Sequence, residues 1–158
     1  MATEIEYKFL VPEGFPADVF TSATRIFQGY LSTNPTVRIR LASNGQGRFA
    51  YMTVKGKRKG LSRKEYEFSI PADDALEMLD LCQLKVSKTR YYVNHAGNLW
   101  EVDVFDGDNT GLMIAELEVP SEDYKFTIPP WCGKDVSKVS KYTNASLARR
   151  PFKTWKKV

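Results

Sequence analysis

The chain has 158 residues, 23 Lys and Arg against 19 Asp and Glu, a formal net charge of +4 and a pI near 9.0. With 42% hydrophobic and 27% charged residues it can bury one sizeable core, which excludes disordered and collagen-like classes, and its length suits a single domain over 1–158. No apolar run is long enough to cross a membrane and acids stand at Glu4 and Glu6 where a secretory leader would carry bases, so a cytoplasmic protein with no membrane partner is expected.

Strand patterns dominate the first two-thirds. Glu4 to Val11 alternates and is broken by Pro12-Glu13-Gly14-Phe15-Pro16; Arg25 to Ser32 and Thr36 to Ala42 alternate again around Asn34-Pro35. Asn44-Gly45 reads as a hairpin turn, after which Arg48 to Lys57 and Leu61 to Ile70 form a hairpin around the basic turn Gly56-Lys57-Arg58-Lys59-Gly60. The clearest helix is 72–82, with apolar residues at helical spacing and Asp73 and Asp74 in its first turn, where the helix dipole favours acids. Lys85 to Asn94, Leu99 to Phe105 and Leu112 to Val119 give three more strands, and short helices are predicted at 121–123 and 143–148. The basic tail 149–157 reads as a solvated end.

Much chemistry is excluded. The single histidine, His95, falls in the turn His95-Ala96-Gly97-Asn98, and Cys82 and Cys132 read as free buried thiols, so neither a nitrogen and sulfur metal site nor a nucleophile dyad with histidine can be assembled. No P-loop motif exists, and Gly45-Gln46-Gly47-Arg48-Phe49-Ala50 leads into a strand-like run where a dinucleotide fingerprint needs a helix. Any metal must therefore be held by oxygen, which restricts it to hard divalent cations.

Residues two apart share a face of a strand, so charge parity is informative. Glu4, Glu6 and Lys8 oppose Ile5, Tyr7 and Phe9; Arg38 and Arg40 oppose Val37, Ile39 and Leu41; Lys55 follows Thr53 on its face. Glu65 and Glu67 oppose Tyr66 and Phe68, Lys88 pairs with Arg90, Glu101 and Asp103 oppose Val102 and Val104, and Glu116 and Glu118 oppose Leu117 and Val119. A single strand of this kind is the ordinary product of one wet and one packed face. Here, however, eight strands have one good helix to cover them, and the charged faces are nearly pure in sign. A mainly β member of the α+β class is expected: an eight-stranded antiparallel barrel with a charged interior and a few flanking helices. Buried charges of both signs call for ligands that complete their balance, a divalent cation on the acids and a polyanion on the bases.

The motifs resemble the CYTH family, the triphosphate tunnel metalloenzymes, and most closely its short single-domain bacterial members. The resemblance begins with Glu4-Ile5-Glu6-Tyr7-Lys8 and runs in family order through Gln28-Gly29-Tyr30-Leu31, Val37-Arg38-Ile39-Arg40, Thr53-Val54-Lys55-Gly56 and Glu65-Tyr66-Glu67. It continues through Lys88-Thr89-Arg90-Tyr91, Trp100-Glu101-Val102-Asp103, Ala115-Glu116-Leu117-Glu118 and Lys141-Tyr142-Thr143-Asn144. The resemblance implies hydrolysis of the terminal phosphate of inorganic triphosphate, with nucleoside or thiamine triphosphates as further substrates. It implies that Glu4, Glu6, Glu116 and Glu118 hold Mg²⁺ or Mn²⁺ with support from Glu65, Glu67 and Asp103, and that Lys8, Arg38, Arg40, Lys55, Lys88 and Arg90 hold phosphate oxygens. The base implied for the short members is a Lys8–Tyr30 dyad, and a metal-activated water is the alternative. Two competing functions stay open: an adenylate cyclase of the same family, and a non-catalytic polyphosphate- or RNA-binding module suggested by Lys57-Arg58-Lys59. The aromatic rings of Tyr7, Tyr66 and Phe68 lie opposite the charged face, which argues against nucleic acid. A homodimer is left open.

Overall fold

The computed structural model describes residues 2–15 and 19–155; Pro16 of the predicted breaker and the last bases of the tail, Lys156 and Lys157, lie outside them. Eight strands form: β1 (Ala2–Leu10), β2 (Ser22–Thr33), β3 (Thr36–Asn44), β4 (Gly47–Lys55), β5 (Ser62–Ile70), β6 (Leu84–His95), β7 (Asn98–Phe105) and β8 (Met113–Glu118). They close into a barrel in the order β1-β5-β4-β3-β2-β6-β7-β8, and every neighbouring pair is antiparallel. Two α-helices accompany them, α1 (Ala72–Leu81) and α2 (Asn144–Arg149).

The predicted elements form with small shifts. Asn44 pairs with Gly47 across Gly45-Gln46, so that turn sits one residue later than predicted; the Gln46 N–H donates to Asn44 Oδ1 at 2.8 Å. His95 does close a tight hairpin, and Ala96 and Gly97, both at positive φ (49° and 83°), match the right-handed twist of the strands they join. The helix expected at 121–123 is a single turn, held by the Tyr124 N–H on the Ser121 carbonyl at 3.2 Å and followed by irregular chain. Both cysteines are free; Cys82 is buried and Cys132, expected to be buried, is half-exposed.

Strand direction alternates around the barrel, which places the β2–β3, β4–β5 and β7–β8 connections at one end and the β3–β4 and β6–β7 turns at the other. Segments that must cross between ends run over the outer wall and cover its apolar face. Helix α1 does so between β5 and β6, packing Ala75, Met78 and Leu79 against Ile39, Leu41 and Ala50. Chain 119–139 returns along β1, bonding the Leu10 and Val136 N–H groups to the Lys134 and Lys8 carbonyls at 2.9 and 2.8 Å and seating Phe126 and Trp131 against Trp100. It delivers α2 to the barrel end that holds the β2–β3 turn. There Leu147 plugs the lumen against Val86, Phe105 and Ile114, which by parity continue the charged inner faces of β6, β7 and β8. The inner face is thus charged along most of its length and apolar where α2 seals it.

The C-terminal end of α1 packs tightly on β2 at Gly29, where a Cβ would stand 2.7 Å from Cβ and 2.8 Å from Sγ of Cys82, the residue that caps the helix. A Gly29→Ala substitution must push the end of α1 off β2 and should lower the unfolding free energy by about 1–3 kcal/mol. Urea denaturation with an unchanged midpoint would show that the helix gives way freely.

Candidate active site

The barrel encloses a cavity of about 550 Å³ lined by seven acids and eight bases. Thirteen residues singled out from the sequence line it: Glu4, Glu6, Lys8 and Tyr30; Arg38, Arg40, Lys55 and Glu65; Glu67, Arg90, Glu101, Glu116 and Glu118. On β1 the order toward the α2 end is Glu4, Glu6, Lys8, and on β5 Arg63 is nearest that end and Glu67 farthest, with Arg63 in register with Glu4 and Glu65 with Lys55. The signs separate by side of the barrel: the acids gather on the adjoining strands β5, β1, β8 and β7, and Arg38 and Arg40 stand on β3, opposite β8 in the closed order.

Lys88 and Asp103 do not line the cavity. Both are fully buried behind it, where Lys88 Nζ donates to Asp103 Oδ2 at 2.6 Å and to Asn144 Oδ1 at 2.9 Å. Arg90 grips the same carboxylate with Nε and Nη2 at 2.8 and 2.9 Å, so the Asp103 oxygens are occupied by cations. Burial alone would raise its pKa, but Arg90 and Lys88 hold it well below the usual carboxylate range. Arg90 Nη2 also donates to Glu116 at 2.9 Å, and Glu116 lies 3.4 Å from Lys8 Nζ. The result is an alternating chain of buried charge, Lys88, Asp103, Arg90, Glu116, Lys8, that crosses β6, β7, β8 and β1.

The alternation fails on the other side of the lumen. Arg38 Nη2 donates to Thr53 Oγ1 at 3.1 Å and lies 3.6 Å from a partly exposed Glu67 oxygen, while its Nε is buried with no hydrogen-bond partner. Arg40 makes no ion pair among the described residues; its Nε donates to Gln28 Oε1 at 2.9 Å. Burial, together with the neighbouring guanidiniums of Arg38 and Arg90, pulls Arg40 down to about 10. Gln28 in turn donates to the Tyr30 hydroxyl at 3.0 Å, and burial raises the pKa of Tyr30 despite the nearby Arg38 and Arg40. The phenol therefore stays protonated.

The acidic side is crowded in the opposite sense. Lys55 bonds both Glu4 oxygens at 3.1 and 3.2 Å and, against the penalty of burial, holds Glu4 at about 2. Burial and the Glu116 charge push Glu6 up to about 8, and burial and the bond to Glu4 push Glu65 up to about 7. Among the described residues no three acids converge into a ready cage for an ion. The donor set fits a small hard cation that keeps several waters and takes one or two carboxylates, with phosphate oxygens completing its shell.

Three cavity bases escaped the sequence reading. Arg63 shares parity with Glu65 and Glu67 on β5, a signal that was present; Arg58 lies in the β4–β5 turn and Arg149 on α2, where strand parity says nothing.

The family model of the CYTH domain matches residues 2–152. The chain is similar to an inorganic triphosphatase of Acetivibrio thermocellus, 40% identical over 163 residues and 99% of each chain. It is also similar to one of Nitrosomonas europaea, 44% identical over 151 residues, 92% of this chain and 97% of the other. The crystal structure of the inorganic triphosphatase NE1496 superposes with a TM-score of 0.65 at 36% identity, covering 94% of this chain and 95% of that one.

Asp103 is the counter-ion of two buried cations, and removing it strands both. Asp103→Ala should lower the unfolding free energy by about 3–5 kcal/mol. Guanidinium denaturation checks this, and wild-type stability would mean that Lys88 and Arg90 find another partner.

Proposed function

The chain belongs to the CYTH domain family, and from that membership we propose that it hydrolyses inorganic triphosphate to pyrophosphate and orthophosphate inside the barrel. The observation that carries the proposal is the broken charge alternation at Arg38 and Arg40: a buried guanidinium N–H without an acceptor, next to a guanidinium without an ion partner. Leaving a buried donor unpaired is costly, and a phosphate oxygen is the acceptor that guanidinium geometry suits.

In the proposed reaction Lys8, Arg38, Arg40, Lys55 and Arg90 hold the phosphate oxygens from the lumen wall, while Lys88 acts from behind by fixing Asp103 and, through it, Arg90. Water adds its oxygen to the terminal phosphorus as the bridging P–O bond breaks, its protons leave on the orthophosphate product, and the negative charge that develops on the departing pyrophosphate oxygen is neutralised by the bases. Catalysis of this kind consists mainly of positioning and charge compensation. Tyr30 suits the role of hydrogen-bond donor better than that of base, because its raised pKa keeps the proton and Gln28 already occupies a lone pair.

Family membership implies a divalent metal. We assign it as Mg²⁺ or Mn²⁺, held by carboxylates drawn from Glu4, Glu6, Glu65, Glu67, Glu116 and Glu118; Asp103, saturated by Arg90 and Lys88, takes a positioning role in place of a supporting ligand. When bound, such a cation neutralises phosphate oxygens that the bases do not reach. The crowded, protonation-prone carboxyls of Glu6 and Glu65 support this placement.

Tyr30 is the one aromatic ring on the cavity wall among the described residues, so nothing there stacks a nucleobase, which favours an inorganic chain over the cyclase reading. No helix is long and apolar enough to cross a membrane. Two free thiols suit a reducing compartment, and we place the protein in the cytoplasm as one CYTH unit.

Phosphate release should be seen with inorganic triphosphate and Mg²⁺ or Mn²⁺, should stop on chelation with EDTA, and should fall by at least about 100-fold in Arg38→Ala, which removes an oxyanion donor without stranding a buried counter-ion. Turnover by Arg38→Ala at the wild-type rate, or cyclic AMP as the product from ATP, would overturn the assignment.

A further inference from the structure

The strand signature accounts for the middle of the tunnel but not for its α2 end, where the β4–β5 turn enters. Of three consecutive bases in that turn, Lys57 and Lys59 are exposed and point away from the cavity, whereas Arg58 is half-buried and lines it. Arg58 makes no hydrogen bond or ion pair among the described residues, although seven acids share its cavity.

The turn that carries it is held at both ends. Arg63 Nε donates to the Gly56 carbonyl at 3.1 Å and its Nη2 to Thr36 Oγ1 at 3.3 Å, bracing the start; Lys59 and Ser62 exchange backbone hydrogen bonds of 2.7 and 3.0 Å across the close. Arg63 spends its fork on the scaffold, and Arg58 is the guanidinium left to meet a ligand. Its charge is felt at Lys8 and at Arg63, where it opposes protonation of both, so Arg58 shares the lumen with these bases. Bringing an unpaired cation toward Lys8 and Arg63 is unfavourable without an anion between them.

We propose that Arg58 is a substrate-contacting, specificity-determining residue: it takes the phosphate group lying nearest the α2 end of a linear triphosphate, and so favours three phosphates over two. The inference rests on the triphosphatase reading above. Arg58 enters from the β4–β5 turn, beyond Thr53 and Lys55 toward the α2 end, so a chain of three phosphates lying on the strand bases has a group to offer it that a chain of two lacks.

Calorimetric binding of inorganic triphosphate and of pyrophosphate, each with Mg²⁺, tests this on the wild type, Arg58→Ala and Lys57→Ala. Arg58→Ala should weaken triphosphate by about tenfold or more and pyrophosphate by less than about threefold, as loss of one charge-assisted contact predicts. Lys57→Ala, which removes the same charge from the solvent side of the turn, should leave both unchanged. Unchanged triphosphate affinity in Arg58→Ala, equal losses for the two ligands, or an equal effect from Lys57→Ala would overturn the contact. A wild-type chain that binds triphosphate without hydrolysing it would sink the enzymatic reading while leaving the binding comparison decisive for Arg58.

Discussion

A single carboxylate shared between two buried cations organises the interior of this barrel. Asp103 is gripped bidentately by Arg90 and bonded by Lys88, with Asp103 and Lys88 out of contact with water and Arg90 reaching the lumen, and Arg90 passes the connection on to Glu116 and Lys8. Pairs of this kind rarely stabilise more than a well-packed apolar core would, because desolvating each ion costs several kcal/mol. What the chain of pairs does supply is orientation. Arg90 has its Nη2 and Nε committed to Asp103 and Glu116, so the face it turns to the lumen is set by the wall behind it and not by the ligand. Asn144 ties the same cluster to α2 through Lys88, which connects the plug of the barrel to the geometry of its binding surface.

The rest of the construction follows from turning a barrel inside out. When charges fill the lumen, the apolar halves of the strands face outward and must be covered, and the covering falls to segments that have to travel between barrel ends in any case. Helix α1 does this over β3 and β4, close enough to β2 that Gly29 has no room for a side chain, and chain 119–139 does it over β1 and β7 with Phe126 and Trp131. The same return path brings Leu147 to the lumen, where the inner face turns from charged to apolar at Leu10, Val86, Phe105 and Ile114. Sealing that part of the lumen keeps water from the deep ion pairs, which is the condition under which their directionality holds.

Parity made most of this legible. A strand has two faces, so a charge at every second position places a residue on the inner wall without any knowledge of its neighbours, and that sufficed for twelve lining residues. Parity has no depth, however. Lys88 and Asp103 lie on the same inner faces as Arg90 and Glu101 yet sit behind the cavity, beside Phe105 and α2, because the sequence does not say how far along a strand the plug reaches. Nor does it see residues that enter from turns and helices. Arg149 belongs to a tail that reads as solvated charge, Arg58 to a basic turn that reads as the motif of a separate polyphosphate- or RNA-binding role, and Arg63 escapes although Glu65 and Glu67 mark its face. Where local geometry is set by a few atoms, the shifts are small, as in the hairpin at Gly45-Gln46; the segment at 121–123 failed as a helix because one turn has too few bonds to offset the fixing of its backbone.

The net charge of +4 says little about the tunnel, because the lining of seven acids and eight bases nearly cancels. What distinguishes the lumen is the order of its charges. Where the signs alternate, from Lys88 to Lys8, every ion has its partner and the wall is finished. Where they segregate, carboxyls on one side are driven toward protonation by one another and by burial, while on the other the Arg38 Nε lacks an acceptor and Arg40 lacks an ion partner among the described residues. These two defects are complementary, and the strands that carry them hold them on different sides of the lumen. A cation joined to a chain of phosphates has the same separation of charge in reverse, and would meet both through carboxylate and phosphate contacts alone.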